Sequence, residues 1–342
     1  MTNSGKAIVL TDGKAGHENQ SKAFARALGL DFQLVPVKFK SPFHKMLSYL
    51  FDRLGIRTVS LLQGLDELLH SSTRPLTHSS THPLTHSSPI IGTGSGTFYA
   101  AKSLARKISG AKCGVVLYPR GYQLSSFDCI LAPAFDNPER RPNVVEIPAN
   151  LVANDADFYE KGVAAFKERY QGATDNLVGV IVGGPNKCSS MTVEWIKSRL
   201  DEIFAANKGA QFCVTTSRRT PADVEALVDS YPWSYKLIYS KDHFNPIPAF
   251  VQLAKRLYVT AESTGMLSEA CTFGKAEVIA LDNLKPGPHK FRRFVENLRR
   301  EGYVDGCRKV DLSAEFSRAR ELMKPPPNFQ NSMLAILKRG VV

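Results

Sequence analysis

The chain reads as an α/β protein made of two strand-and-helix halves, and three observations predict this. The stretch from Tyr258 to Leu281 passes from an apolar strand through a small-residue turn into a helical stripe, then into a second apolar strand. Strand-like and helix-like patterns alternate along the whole sequence, and the alternation restarts at Leu177 after the polar run Gln171–Asp175. A length of 342 residues with 43% hydrophobic content is enough for two cores rather than one very large one.

The formal charge of +12 predicts attraction to anions, whether nucleotide-sugars, acidic lipids or nucleic acid. The basic residues are scattered, and neither an RNA-recognition signature nor zinc-finger spacing occurs, so a nucleic-acid partner is not expected. The six cysteines, at 113, 129, 188, 213, 271 and 307, form no C-x-x-C pair, and several lie in apolar runs. They read as reduced thiols of a cytoplasmic protein. The sequence MTNSGKAIVLTDGKAG enters strand and turn directly, without a signal-peptide pattern, and no apolar run is long enough to span a bilayer. Any membrane contact would be peripheral, at the inner face.

Lys6 to Thr11 reads as the first strand. The loop Asp12-Gly13-Lys14-Ala15-Gly16-His17 follows, and Ala23, Phe24, Ala27 and Leu28 then carry a helical stripe. Open α/β sheets place ligands at such a loop. It is neither G-x-G-x-x-G nor a Walker loop, so dinucleotide and ATP chemistry find little support. His17 has the right type for a general base, with Asp12 as second choice; the alternative is a histidine that caps the helix. Asp31 to Val37 is a second strand. After Pro42, the residues Phe43, Met46, Leu47, Leu50, Phe51 and Leu54 keep helical spacing among basic residues. This stripe is expected to pack on the protein's own core, with an anionic membrane as the second choice. Residues 70–88 repeat the octad HSSTRPLT as HSSTHPLT; this polar, proline-bearing insert cannot build a core. Four histidines fall there, but without acidic or thiol partners they make a poor metal site. The turn Gly92-Thr93-Gly94-Ser95-Gly96 leads into another helix. Strands follow at 113–117, 127–131 and 143–147, then a helix from Asp155 to Tyr170.

The second half opens with the strand Leu177–Val182 and the turn Gly183-Gly184-Pro185. The strand Gln211–Thr215 ends in Thr216-Ser217-Arg218-Arg219-Thr220-Pro221, and two guanidinium groups beside hydroxyls at a strand end suit a phosphate. In the stretch at 258–281, Thr260, Glu262, Ser263, Thr264, Gly265 and Met266 surround a helix start whose free N-H groups also suit a phosphate. Glu269 lies one turn beyond Gly265, within reach of a sugar hydroxyl. The plain alternative is a capped strand-helix-strand unit.

Four ordered motifs, LTDGKAGHENQSKAFARALG, IVGGPNK, TTSRRTPADVEAL and VTAESTGMLSEACTFGKAEVIAL, resemble bacterial relatives of the plant "elongated mitochondria" fission protein, a family grouped with glycosyltransferases. The resemblance spans roughly residues 6 to 303. It implies a GT-B-like fold, two Rossmann-like domains facing across a cleft, with an acceptor side in the first domain and a nucleotide-sugar side in the second. In glycosyltransferases of this architecture a Ser/Thr-Gly turn holds the donor diphosphate and a Glu on the next helix binds the ribose. The loop Asp12–Gln20 is also similar to the acceptor-facing loop of the transferase that adds N-acetylglucosamine to the peptidoglycan lipid precursor, though only Gly16-His17 of its Gly-Gly-His is present.

The resemblance implies a transfer from a nucleotide-diphosphate sugar to an acceptor hydroxyl, on a cell-envelope lipid or saccharide, without metal or other cofactor. The donor contacts are expected from Gly183, Gly184, Pro185, Ser217, Arg218, Arg219, Thr260, Glu262, Ser263, Thr264, Gly265, Met266 and Glu269. The acceptor contacts are expected from Gly13, Lys14, Gly16, Gly92, Gly94 and Ser95. The domains are expected at 1–150, with the insert at 70–88, and at 176–285. A linker helix region at 151–175 joins them, and helices at 286–342 are expected to pack back across the cleft. A nucleotide-sugar epimerase and a non-enzymatic membrane adaptor are the other readings.

Overall fold

Parallel strand pairing shapes both halves of the chain. The computed structural model describes residues 6–65, 88–108 and 110–325, and the chain divides into two units, 1–147 with 312–342 and 148–311. Apart from Ser88, the repeat at 70–88 lies outside the described residues, as does the part of the expected C-terminal helices beyond residue 325.

In the first unit, β1 (Lys6–Thr11), α1 (Ala15–Ala27), β2 (Asp31–Pro36), β3 (Lys38–Phe39), α2 (Pro42–Arg53), β4 (Leu62–Gln63), β5 (Ile90–Thr93), α3 (Phe98–Lys107), β6 (Cys113–Val116), β7 (Cys129–Pro133) and β8 (Val144–Ile147) follow in sequence. The main sheet runs β2-β1-β5-β6-β7-β8, every pair parallel, while β3 and β4 form a small antiparallel ribbon. β5, β6 and β7 are buried along their whole length, as strands covered by helices on both faces must be. Cys129 packs there as a small hydrophobe, and burial pushes its thiol up to about 12.

The second unit holds α4 (Ala156–Arg169), β9 (Leu177–Ile181), α5 (Val193–Ala206), β10 (Gln211–Thr215), α6 (Ala222–Ser230), β11 (Tyr235–Leu237), α7 (Ile247–Leu253), β12 (Ala254–Thr260), α8 (Thr264–Phe273), β13 (Glu277–Leu281) and α9 (Lys290–Arg300). Its sheet is parallel throughout in the order β11-β10-β9-β12-β13. The segment 151–175, expected as a linker, supplies α4 to this unit's own core: Phe166 is fully buried, 4.8 Å from the ring of Tyr235 and 5.7 Å from that of Phe250. Of the C-terminal helices, α9 stays with the second unit. The last, α10 (Ser313–Met323), belongs to the first, where Arg318 donates to the Pro142 carbonyl at 2.9 Å and Arg320 to that of Ala27 at 2.8 Å.

α2 departs from the sequence reading. Its buried positions are Ser48 and Asp52, whereas Phe43, Met46 and Leu50 stand exposed on it, with Leu54 and Ile56 just beyond. Leu47, Tyr49 and Phe51 turn partly towards the core. The reason is a buried polar cluster beneath the helix. Asp52 is inaccessible to solvent and accepts from Lys102 Nζ at 2.7 Å and from the Gln123 amide at 2.5 Å, with Arg57 at 3.2 Å. Burial pulls the Lys102 ammonium down to about 8, against the upward pull of Asp52. Lys102 also lies 4.2 Å from the centre of the Phe127 ring.

Removing one member of this cluster leaves the other charges buried and unpaired. Asp52→Ala is expected to cost about 3–5 kcal/mol in urea unfolding, and the paired replacement Asp52→Leu with Lys102→Met to recover most of that loss. A double variant destabilised by the sum of the two separate replacements would show that the cluster is not coupled.

Candidate functional site

In a parallel sheet every strand ends at the same edge, so the loops after β10, β9 and β12, which are neighbours in that order, gather at one carboxyl edge of the second unit. One carboxylate ties the loops after β9, β12 and β13 together. Glu262, 2% exposed, accepts at Oε1 from the Gly184 amide at 2.8 Å and from the Thr260 hydroxyl at 3.0 Å, and at Oε2 from Asn283 Nδ2 at 2.7 Å. The Thr260 hydroxyl in turn accepts from the Gly183 amide at 2.9 Å. On the other side, Thr220 Oγ1 donates to the Gly183 carbonyl at 2.5 Å. A Cβ on Gly183 would lie 2.1 Å from Glu262 Oε1, and one on Gly184 would lie 2.2 Å from the Arg219 carbonyl oxygen, so only glycine allows the loops to approach this closely. Thr260 and Glu262, predicted as donor contacts, are therefore buried braces of the loop backbone.

Beside this brace, α8 begins at Thr264. Its N-cap Ser263 makes no side-chain capping bond, and its first turn carries no acidic residue, so the leading amides of Thr264, Gly265 and Met266 are left at the positive end of the helix dipole. Gly265 is exposed, and a Cβ there would meet nothing within 4 Å. Ser217 takes part in a tight turn, its amide donating to Thr220 Oγ1 at 2.8 Å and its hydroxyl accepting from the Arg219 amide at 3.3 Å. This turn leaves the side chains of Arg218 and Arg219 exposed, with no ion pair among the described residues. Pro185 is half-buried behind the Gly183-Gly184 turn.

Glu269, two turns into α8, is half-buried. Its Oε1 accepts from Tyr159 Oη at 3.0 Å and from Asn154 Nδ2 at 3.1 Å, and the Tyr159 ring stacks on Phe273 at 5.1 Å. Burial raises the carboxyl above its usual range, although both hydrogen bonds pull it down. Sequence reasoning missed Asn154 and Tyr159, which lie more than a hundred positions away and carry no local signal. It also missed Asn283, whose place just past the end of β13 marked it as an edge residue. Asp155-Ala156-Asp157 has a two-carboxylate spacing that can bind a cation, which the metal-free expectation passed over. Here Asp155 caps α4 by accepting from the Phe158 amide at 3.0 Å, and Asp157 pairs with Lys161 at 2.7 Å. No group of three or more His, Cys, Asp or Glu able to hold a metal ion occurs among the described residues.

In the first unit the loops after β1 and β5 interlock in a comparable way. His17 sits in the first turn of α1, with Nδ1 at 3.0 and 3.2 Å from the two oxygens of Asp12. Burial would raise the Asp12 carboxyl; the charge and hydrogen bond of His17, the Lys14 amide and the Lys14 ammonium outweigh it and hold the group below its ordinary value. Gly94, at φ +80°, leaves room for the imidazole, since a Cβ there would fall 2.4 Å from His17 Cε1; one on Gly96 would fall 2.8 Å from Asp12. Gly92 makes similar room for Thr97, and Ser95 Oγ accepts from Lys45 Nζ at 2.9 Å. Gly13 turns at φ +80° with its amide on Thr11 Oγ1, and Gly16 is exposed at the start of α1.

Comparison with known proteins agrees with this architecture. The chain superposes on a UDP-GlcNAc 2-epimerase of Neisseria meningitidis, solved bound to UDP-GlcNAc, with a TM-score of 0.50 over 97% of this chain and 100% of that one, at 11% identity. That likeness shows the fold: GT-B, with two Rossmann-like domains. The mitochondrial fission protein ELM1 of Arabidopsis thaliana is 24% identical over 87% of this chain and 83% of its own length. A Rickettsia prowazekii protein of uncharacterised function is 28% identical over 44% of each. The model of the family described as "Mitochondrial fission ELM1" matches residues 15–323, and the chain belongs to that family.

Proposed function

We propose that the second unit binds the diphosphate of a nucleotide-sugar and that the protein transfers the sugar to an acceptor hydroxyl. The observation that carries the reading is the concentration of positive potential at one sheet edge: the uncapped start of α8, the braced Gly183-Gly184 turn, and two guanidinium groups with no ion pair among the described residues. Amide dipoles fixed by Glu262 need no reorganisation as charge develops on a departing diphosphate, and Arg218 and Arg219 supply net charge. Glu269 keeps a carboxylate beyond the phosphate position for the two ribose hydroxyls. In the first unit, Asp12 holds His17 with Nδ1–H donating, which leaves Nε2 to accept a proton. The new bond forms from acceptor oxygen to the anomeric carbon while the bond to the phosphate oxygen breaks; the acceptor proton passes to His17 and the electron pair leaves with the diphosphate.

The first test is binding. Uridine and guanosine diphosphates are expected to raise the melting temperature of the full chain, because a ligand held by the native state adds to its stability. Gly265→Ala has room for its methyl and leaves the apo melting temperature unchanged or slightly higher, yet it narrows the approach to the helix amides. We expect it to weaken nucleotide affinity about tenfold, or about 1.4 kcal/mol. No stabilisation by any nucleoside diphosphate would leave the adaptor reading in its place.

Glu269→Gln separates ribose binding from stability. The raised carboxyl of Glu269 means that the folded state holds a proton more tightly than the unfolded chain, so its contribution to stability is greatest in acid and falls as pH rises through the folded value. The variant is therefore expected to be more stable than the parent at neutral pH, with the gap closing towards acid. It should also lose the parent's preference for a ribonucleotide over its 2′,3′-dideoxy analogue. An unchanged preference would remove Glu269 from the ribose.

The transfer step is tested separately. His17→Ala is expected to lower turnover by about 10²–10⁴-fold while leaving the nucleotide-induced thermal shift intact. If an acceptor-free incubation instead yields an epimerised or free sugar at undiminished rate, transfer is not the reaction.

A further inference from the structure

We propose that the outward face of α2 docks on the surface of an anionic lipid bilayer. A helix on a globular protein normally turns its apolar stripe to the core. α2 divides its apolar residues: Leu47, Tyr49 and Phe51 pack partly on the core beside the buried Ser48 and Asp52, Ser48 meeting the Tyr122 hydroxyl at 2.9 Å and Asp52 the Lys102 ammonium at 2.7 Å, while the rest face outward. Phe43 (60% exposed), Met46 (64%), Leu50 (52%) and Leu54 (64%) fall three and four positions apart and form one outer stripe. Ile56 (41%) extends it. The other exposed large hydrophobics among the described residues are Leu34 and Phe158, both outside this helix, so the apolar surface is concentrated on α2.

Charge decides between possible occupants. Lys38, Lys40 and Arg53 are exposed around the stripe, and Arg106 reaches the Gly55 carbonyl at 3.3 Å just past the helix end. From Lys38 to Arg57 the sole acidic residue is Asp52, which is buried and paired. An apolar stripe whose charged neighbours from Lys38 to Arg57 are basic on the outside fits a surface of lipid headgroups, with the side chains entering the acyl boundary and the basic stems reaching back to phosphate. A second copy of the same face would bring basic rim against basic rim. No described helix is long and apolar enough to cross a membrane, so the contact is a surface one. Lys45 joins this helix to Ser95, so docking also brings the loop that houses His17 towards the interface. The proposal does not depend on nucleotide binding by the second unit.

The test is co-sedimentation of the full chain with phosphatidylcholine vesicles, alone or with phosphatidylglycerol. Binding is expected only with the anionic lipid, and high salt should release it. Met46→Glu with Leu50→Glu replaces exposed side chains, leaves the melting temperature and circular dichroism unchanged, and should cut partition at least tenfold. Lys40→Gln and Arg53→Gln should each weaken it about fivefold, the effect of one basic residue at such a surface. Phe43→Trp should add a component of emission that shifts to shorter wavelength with anionic vesicles alone. The proposal is overturned if the parent does not sediment with anionic vesicles, or if the Met46→Glu/Leu50→Glu variant sediments as well as the parent. It is equally overturned if the parent is a dimer that this variant splits, which would make the face a contact between copies.

Discussion

Parallel pairing is the constraint on which both units rest. Parallel neighbours cannot be joined by a tight hairpin, so each strand must return across a face of the sheet, usually as a helix. Two consequences follow. The strands are covered on both sides and become uniformly apolar, as in β5, β6 and β9. The turns that leave the strands all collect at one edge, where backbone amides would be exposed and unpaired unless something organises them. In the second unit Glu262 is that organiser. A carboxylate out of water is costly unless fully hydrogen-bonded, and the donors it needs are the amide of Gly184, the hydroxyl of Thr260 and the side-chain amide of Asn283. The charge is thereby converted into fixed loop geometry.

The same physical account explains how far the sequence could be read. Strands such as Leu177–Ile181 and Gln211–Thr215 are short apolar runs bounded by turn residues, and helices such as α5 have a stripe of 3.6 periodicity; both signals are local, and the structure places these elements within a residue or two of expectation. Loop residues at the carboxyl ends could also be named, because topology alone sends Gly183, Arg218 and Ser263 to the edge. Their individual roles could not. Glu262 and Glu269 lie seven positions apart in one motif, yet one braces backbone while the other meets Tyr159 and Asn154 from α4 and the segment before it. Only tertiary packing separates them. Gly274 gives a smaller example. It ends α8 without adopting a left-handed conformation; its lack of a side chain matters because a Cβ would lie 2.5 Å from the Ala270 carbonyl.

α2 shows why a periodic stripe cannot by itself assign a face. The apolar pattern of Phe43, Met46, Leu50 and Leu54 is as regular as a core stripe, and the sequence favoured the core. Orientation was set instead by the residues between them. Burying Asp52 together with Lys102 and Arg57 satisfies three charges at once, whereas turning the helix over would leave Lys102 unpaired in the interior. The stabilisation gained by hiding an apolar stripe is spread over several side chains. The penalty for one isolated buried ammonium is concentrated and comparable in size, so a single well-placed aspartate can settle which way a helix faces.

Glu262 and Glu269 also differ in how the second unit surrounds a carboxylate. Glu262 has donors on both oxygens and is almost fully enclosed, so little of its capacity remains for a ligand. At Glu269 both recorded donors converge on Oε1, burial outweighs them, and the carboxyl is held above its ordinary range. A ligand that brings hydroxyl donors would favour the charged form of such a carboxylate. A vicinal diol supplies two such donors at the spacing of the two oxygens. On the proposed function that diol is a ribose, and the stability given up by burying Glu269 would return as selectivity for it.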